Sequence, residues 1–230
     1  MYKRQLRTTG IPESALIERI ADPIDSDHKC NIGYYPSLYG VDIRISSKRQ
    51  DHVDGLSEEL YSILGSIIYG EGKDTIEHVI VHTAIEKHKT VSIAESCTGG
   101  LIGHRITEIP GSSSMFKGGL VVYSNAAKFM VLGVKQTCID SYGAVSTETA
   151  EQMATNVMEK FGTDYGLSVT GIAGPGGGTD EKPVGLVYIG LADSLSNQVR
   201  EFTFGTDRNR NKLRTSQAAL NWLRVTLQND

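Results

Sequence analysis

Apolar residues recur along this chain at two spacings, and the change from one organisation to another falls near Gly70. Before it, residues 12–21 predict a short helix entered through a proline, 31–35 and 41–46 predict two strands about a turn at 36–40, and 53–69 predict an amphipathic helix. A helix, a hairpin and a helix make a small α+β unit with little core of its own. The glycines of Tyr69-Gly70-Glu71-Gly72-Lys73 break the periodicity on both sides and read as a linker, which divides the chain into 1–74 and 75–230.

Beyond that point the pattern alternates. Residues 75–88 predict helix, 90–94 strand, 98–108 helix, 118–124 strand, 126–132 a short helix and 147–161 a longer one. Then 164–170, 184–192 and 199–204 predict strands, and 209–228 a final helix with Leu213, Leu220, Leu223 and Leu227 on its apolar side. The fold class that follows is α/β: a mostly parallel, mixed sheet covered on both faces, its last two strands joined over 193–197 as an antiparallel hairpin.

Charge and cysteine content narrow the function. A formal net charge of -4 and a pI near 5.9 give no general attraction to polyanions, so nucleic-acid and membrane-surface partners are not expected. Any phosphate contact must be local. Cys30, Cys97 and Cys138 are odd in number and in no CxxC spacing, which points to a reducing compartment, the cytoplasm, rather than to disulfides or zinc. The start MYKRQLRTTG has no apolar h-region, and no run approaches the ~18 apolar residues of a membrane span.

Chemistry is expected between Thr90 and Lys128, where TVSIAESCTGG runs from a β-branched strand into small polar residues and a glycine pair. A serine there has its hydroxyl near the N–H groups of Thr98, Gly99 and Gly100, donors suited to an oxyanion or a phosphate. Ser96 is also a favoured helix cap, and the two roles compete. Cys97 is a rival nucleophile at a helix start, or a buried small hydrophobe. No histidine is placed to serve as base: the six are His28, His52, His78, His82, His88 and His104, and His104 lies well along the next helix. Lys128 suits the role, because a cap at Ser124 or Asn125 puts it in a first turn, where the helix dipole disfavours the ammonium. Tyr123, closing the strand before it, is a candidate proton donor; a surface lysine and a core tyrosine are the alternative.

Thr170-Gly171-Ile172-Ala173-Gly174-Pro175-Gly176-Gly177-Gly178 follows a strand and allows close backbone approach to a phosphate or ribose, or is a flexible turn. It matches neither the P-loop nor the dinucleotide fingerprint. Arg208 and Arg210, opening the last helix, suit a phosphate or form a solvated first turn. His78 and His82 share a helix face with Glu86 a turn further on, but Val79, Ile80 and Val81 lie between the histidines, so this is no HExxH motif and no metal is expected.

Four separated blocks, ESCTGG at 95–100, IPGSSSMFKGGLVVYSNAAK at 109–128, GAVS at 143–146 and TGIAGPGGGTDEKPVGLVYI at 170–189, together resemble the carboxy-terminal domain of the CinA family, the nicotinamide-nucleotide amidohydrolases. The resemblance covers about residues 75–230. It implies a three-layer α/β/α domain that commonly forms a homodimer and hydrolyses the carboxamide of nicotinamide mononucleotide without a metal or other cofactor. The family's serine, tyrosine and lysine fall on Ser96, Tyr123 and Lys128; Thr98, Gly99, Gly100, Thr170, Gly171, Gly174, Arg208 and Arg210 are then assigned to the small-molecule nucleotide. The alternative is a non-catalytic nucleotide-binding or competence-related adaptor.

Residues 1–74, with LRTTGIPESALIERI and NIGYYPSLYGVDIRIS, are similar to the family's middle, KH-like domain. They contain no GxxG loop and carry nine Lys and Arg against twelve Asp and Glu, so RNA binding is not expected and packing against a neighbour or a dimer mate is. The chain starts at that middle domain. These residues do not include a counterpart of the family's amino-terminal domain, so the metal-dependent ADP-ribose pyrophosphatase activity tied to it is not expected of them, and the chain is consistent with a piece of a longer protein.

Overall fold

Tyr2–Thr8, a run of mostly basic and polar residues that carries no periodic signal, forms a strand, β1, at the interior of a sheet. The computed structural model describes residues 1–26 and 29–230, so His28 lies outside the described residues; the chain divides into two compact units, 1–79 and 80–230. In the first, β1 is followed by α1 (Glu13–Arg19), α2 (Ala21–Ser26), β2 (Asn31–Pro36), β3 (Val41–Ser47), α3 (Gln50–Leu64) and β4 (Ile68–Glu71). Among the described residues these strands make one antiparallel sheet in the order β2-β3-β1-β4. Leu6 and Thr8 of β1 are buried, while Gln5 donates to Asp42 at 2.9 Å and Arg7 pairs with Asp42 at 3.1 Å. Ion pairing on one face is what gave this strand the composition of a loop.

Two expectations are corrected here. The long helix stops at Leu64, because Gly65 takes a φ of 50° that other residues resist. The segment expected as a linker is then strand β4, paired with β1 through Leu6↔Glu71 and Arg7↔Gly70. Leu6, Leu16, Ile20, Ile43, Ile45 and Leu60 form the core of this unit.

The second unit carries β5 (Val91–Glu95), α5 (Leu101–Thr107), β6 (Phe116–Val121), α6 (Asn125–Met130), α7 (Gln136–Tyr142), α8 (Thr147–Phe161), β7 (Tyr165–Gly171), β8 (Leu186–Ala192), β9 (Asn197–Thr203) and α9 (Arg208–Asn229); α4 (Ile76–Glu86) spans the boundary between the units. The mixed sheet has the order β6-β5-β7-β8-β9. β5 runs parallel to β6 and β7, and β7/β8 and β8/β9 are antiparallel. Residues 172–185 hold no helix that would make a parallel crossover, so β8 turns back beside β7.

Helices cover both faces, giving three α/β/α layers. α8 packs on one face, where Gly166 and Gly190 admit its backbone: a Cβ at Gly190 would lie 2.7 Å from Ala150 O. Ser168 donates to that same oxygen at 2.6 Å, and Ser92 to Val157 O at 3.0 Å. α9 lies against the other face with Leu220, Leu223 and Leu227 buried, and α5 packs beside it through Arg105, which donates to Ser216 and Gln217. β5 is buried along its whole length. The parallel strands β5, β6 and β7 therefore end together at one edge, where α/β folds place their ligands. No helix among the described residues is long and apolar enough to cross a membrane.

Candidate active site

β5 ends at Glu95, and Ser96 extends its pairing by one step, donating its N–H to Val169 O at 2.9 Å. The hydroxyl of Ser96 is thereby fixed at the sheet edge between β6 and β7. After β6, Ser124 caps α6 by accepting from the N–H of Ala127, and one turn later Lys128 returns toward the sheet. Its Nζ lies 2.9 Å from Ser96 Oγ and 3.0 Å from Val122 O. Lys128 is 1% exposed and Ser96 7%. Burial drives the lysine pKa below its ordinary value, opposed by the neighbouring Cys97. Desolvation is the leading cause of that shift; the helix-dipole argument is corrected, because Lys128 falls in the last turn of the six-residue α6, where a cation is not disfavoured.

Glu95 settles the competition for the cap of α5. Its carboxylate accepts the N–H groups of Gly100 and Ile102 on Oε2, at 3.0 and 3.1 Å, and that of Gly103 on Oε1 at 2.8 Å. Ser96 is left out of the capping, its hydroxyl turned to Lys128. Gly99 gives its N–H to Ser96 O at 3.1 Å. The amides of Gly99 and Gly100, expected to face a ligand, thus have protein partners. Thr98 is fully buried, and its hydroxyl meets no partner among the described residues. The thiol of Cys97, buried beside the dyad, is pushed up to about 12 by desolvation.

A cleft of about 270 Å³ opens over the dyad. Ser96, Lys128, Tyr123, Thr170, Gly171, Gly174 and Arg208 all line it, whereas Thr98, Gly99, Gly100 and Arg210 do not. Tyr123 is 57% exposed at the mouth, and its hydroxyl accepts from Arg208 Nη2 at 2.6 Å. Arg208 Nη1 donates to Gly174 O at 2.8 Å, so one guanidinium holds both the tyrosine and the glycine-rich loop. Asn211 supports that loop from below, donating to Ala173 O and Gly205 O. Arg210 is exposed at the start of α9, with its N–H on Asp207.

Further contributors were given no place in the site from the sequence. Asn125, Ala144 and Val145 line the cleft, and Thr170 Oγ1 donates to Ala144 O at 2.6 Å. Lys182 Nζ donates to Tyr142 O and Val145 O, both at 2.7 Å, across about forty residues of sequence. Of the histidines on α4, His78 lies 4.0 Å from Asp74. Among the described residues no three His, Cys, Asp or Glu side chains come together as a metal site.

The family model of the CinA C-terminal domain matches residues 73–227, and that of the damage-inducible protein CinA KH domain matches residues 3–70. A CinA-like protein of Gloeothece citriformis is 44% identical over 99% of this chain and 56% of its own length. A putative competence-damage inducible protein of Caldicellulosiruptor saccharolyticus is 42% identical over 100% of this chain and 57% of its own. The chain thus spans little more than half the length of these curated relatives. Among solved structures, the competence/damage inducible protein CihA from Agrobacterium tumefaciens is 40% identical, with a TM-score of 0.64, over 66% of this chain and 95% of that one. The competence damage-inducible protein A from Klebsiella pneumoniae is 25% identical, with a TM-score of 0.65, over the same shares.

Proposed function

The chain belongs to the CinA family, and from that premise we propose that its 80–230 unit is an amidohydrolase that converts nicotinamide mononucleotide to nicotinate mononucleotide and ammonia. The observation that carries this reading is the 2.9 Å contact between a buried, pKa-depressed Lys128 and Ser96. A neutral amine at that distance accepts the serine proton, which makes a serine at the edge of a parallel sheet a nucleophile without a histidine.

The steps follow from that pair. Ser96 Oγ attacks the carboxamide carbon as its proton passes to Lys128 Nζ. The tetrahedral intermediate collapses, the carbon–nitrogen bond breaks, and the departing amide nitrogen takes up the proton held on Lys128, delivered with the help of Tyr123, and leaves as ammonia. Water then adds to the acyl-serine, gives one proton back through Lys128, and frees the carboxylate and the hydroxyl. Amide and water go in; acid and ammonia come out.

The charge of the cleft supports an anionic substrate. Among its lining residues Arg208 carries a positive charge, and no Asp or Glu is present. A phosphate is favoured there by the guanidinium and by the exposed backbone of the glycine-rich loop. Thr170, Gly171 and Gly174 lie on that same side and fit the nucleotide's ribose and phosphate, while a homodimer is the assembly this reading expects.

The test is ammonia release from nicotinamide mononucleotide by the purified chain and by Ser96→Ala. Release by the first and none by the second is the expected result. Turnover unchanged in Ser96→Ala would overturn the serine mechanism, and mononucleotide that is bound but never consumed would favour a nucleotide-sensing adaptor.

A further inference from the structure

Resting on the amidohydrolase reading, we infer that the cleft wall at residues 143–146, rather than the entry to α5, receives the substrate's carbonyl oxygen through the main-chain N–H of Ala144, and that Thr170 and Lys182 position this donor. A tetrahedral intermediate needs a preorganised donor beside the nucleophile. At the start of α5 four amides are already taken: Gly100, Ile102 and Gly103 donate to Glu95 and Gly99 donates to Ser96 O.

Opposite, the wall is built with the reverse polarity. Four successive carbonyl oxygens are engaged by side-chain donors. Lys182 Nζ takes those of Tyr142 and Val145. Thr149 Oγ1 and Ser146 Oγ take that of Gly143, at 2.7 and 3.1 Å. Thr170 Oγ1 takes that of Ala144 at 2.6 Å. In a planar trans peptide the N–H points opposite to the preceding carbonyl. With Gly143 O drawn toward the first turn of α8, the N–H of Ala144 leaves on the other side, and Ala144 lines the cleft together with Ser96. That N–H meets no protein acceptor among the described residues and is left open to the cleft.

The arrangement separates two demands of the substrate. The wall offers an N–H with its carbonyls held away, which suits an oxygen gaining charge; the facing loop, with Arg208, suits a phosphate. Lys182 belongs to the connection that carries the glycine-rich loop, so one ammonium ties the two sides together and sets their separation. Freed from Lys182 or Thr170, the carbonyls of Ala144 and Val145 can turn toward the cleft, where their negative ends oppose the developing oxyanion.

The experiment compares Lys182→Met, Lys182→Arg and Thr170→Val on the carboxamide substrate and on its thiocarboxamide analogue, whose sulfur accepts hydrogen bonds weakly. Lys182 is on a surface loop, so Lys182→Met keeps the test open where a buried Thr170→Val variant fails to fold. Expected for Lys182→Met is a loss of about 10- to 100-fold in kcat on the carboxamide, with KM little changed, a much smaller loss on the thioamide, and substantial rescue by Lys182→Arg; Thr170→Val shares the kcat loss and its oxygen-to-sulfur preference, while its KM also reports the nucleotide side. Equal losses on both substrates, or a Lys182→Met loss carried by KM, would overturn the inference. Acylation by an activated nicotinate ester, located by mass spectrometry, reports the reading beneath it. If wild-type protein acquires no acyl group at Ser96, the serine amidohydrolase falls and the wall with it; if Ser96 is acylated and the oxygen-to-sulfur preference does not move in Lys182→Met, the wall alone falls.

Discussion

Lys128 Nζ donates to the main-chain oxygen of Val122 at 3.0 Å. A neutral amine has two N–H bonds and one lone pair. With one N–H held by Val122 O, the lone pair is left to turn toward Ser96 Oγ at 2.9 Å. Val122 therefore orients the base as well as closing β6, and the protonation state of Lys128 decides whether the serine hydroxyl donates to it or accepts from it.

Activity should rise with pH along a limb set by Lys128. Its pKa is lowered by burial, so the neutral amine appears below the ordinary lysine range, and kcat/KM increases as pH climbs through that lowered value. Lys128→Ala should lower kcat by about 10²–10⁴ and abolish the limb. A pH–rate profile of wild-type protein that is flat across the neutral and mildly alkaline range would remove Lys128 from the role of base.

The same shift has an opposite face in stability. Between the lowered pKa of folded Lys128 and the ordinary value of about 10.5, the unfolded chain binds more protons than the folded one, so stability rises with pH across that window. Lys128→Met, which removes the buried amine, should therefore gain most in thermal midpoint at low pH. The gain should shrink as pH rises. Parallel midpoints of wild type and variant at all pH values would show that the amine titrates normally.

Glu95 bears on stability without touching the substrate. Glu95→Ala leaves the N–H groups of Gly100, Ile102 and Gly103 without their acceptor at a position where the carboxylate is 3% exposed. A loss of about 1–3 kcal/mol is expected from urea unfolding. Glu95→Gln, which keeps one oxygen but turns an amide NH₂ toward N–H donors, should fall between Ala and wild type. Full stability in Glu95→Ala would mean that water replaces the carboxylate at the start of α5.

What could be read from the sequence was what is local. The capping serine at 124, four residues before Lys128, and the small-residue turn after β5 are short-range signals, and they placed Ser96 and Lys128 at successive sheet ends. β1 was hidden because its Gln5 and Arg7 find their partners at Asp42 and Tyr69, far away in the chain. β4 was hidden by its glycine, and α7 by its Thr, Cys, Asp and Ser, all weak helix formers. Glu95 read as the first residue past a strand ending at Ala94; that its carboxylate reaches Gly103 depends on how residues 96–100 turn. Lys182 stood in the 170–189 block with no role assigned to it, since its meaning lies in two carbonyls about forty residues earlier.

Cys97 stands next to the nucleophile and should not behave as one. With its thiol pushed up to about 12 by burial, almost no thiolate exists near neutral pH, and alkylation by iodoacetamide at pH 8 should be much slower than for a free cysteine. Cys97→Ala should lose far less turnover than Ser96→Ala. Rapid alkylation at Cys97 with parallel loss of activity, followed by peptide mapping, would reverse the assignment of nucleophile.

Tyr123 and Arg208 divide their labour in a way that steady-state kinetics can separate. The tyrosine hydroxyl accepts from Arg208 Nη2 at 2.6 Å, which leaves its own proton directed elsewhere and available to a departing amine. Arg208 keeps a second anchor on Gly174 O at 2.8 Å, so Tyr123→Phe removes a donor without releasing the loop. Tyr123→Phe should therefore act on kcat, with a loss of up to about 10²–10⁴ for a positioned proton donor. Arg208→Lys replaces the planar fork by a point charge that holds only one of its two partners, and it should raise KM for the mononucleotide more than it lowers kcat. The double variant should lose less than the sum of the two singles, because they share one contact. If Tyr123→Phe instead raises KM and leaves kcat intact, the tyrosine holds substrate, and the proton for ammonia comes from Lys128 alone.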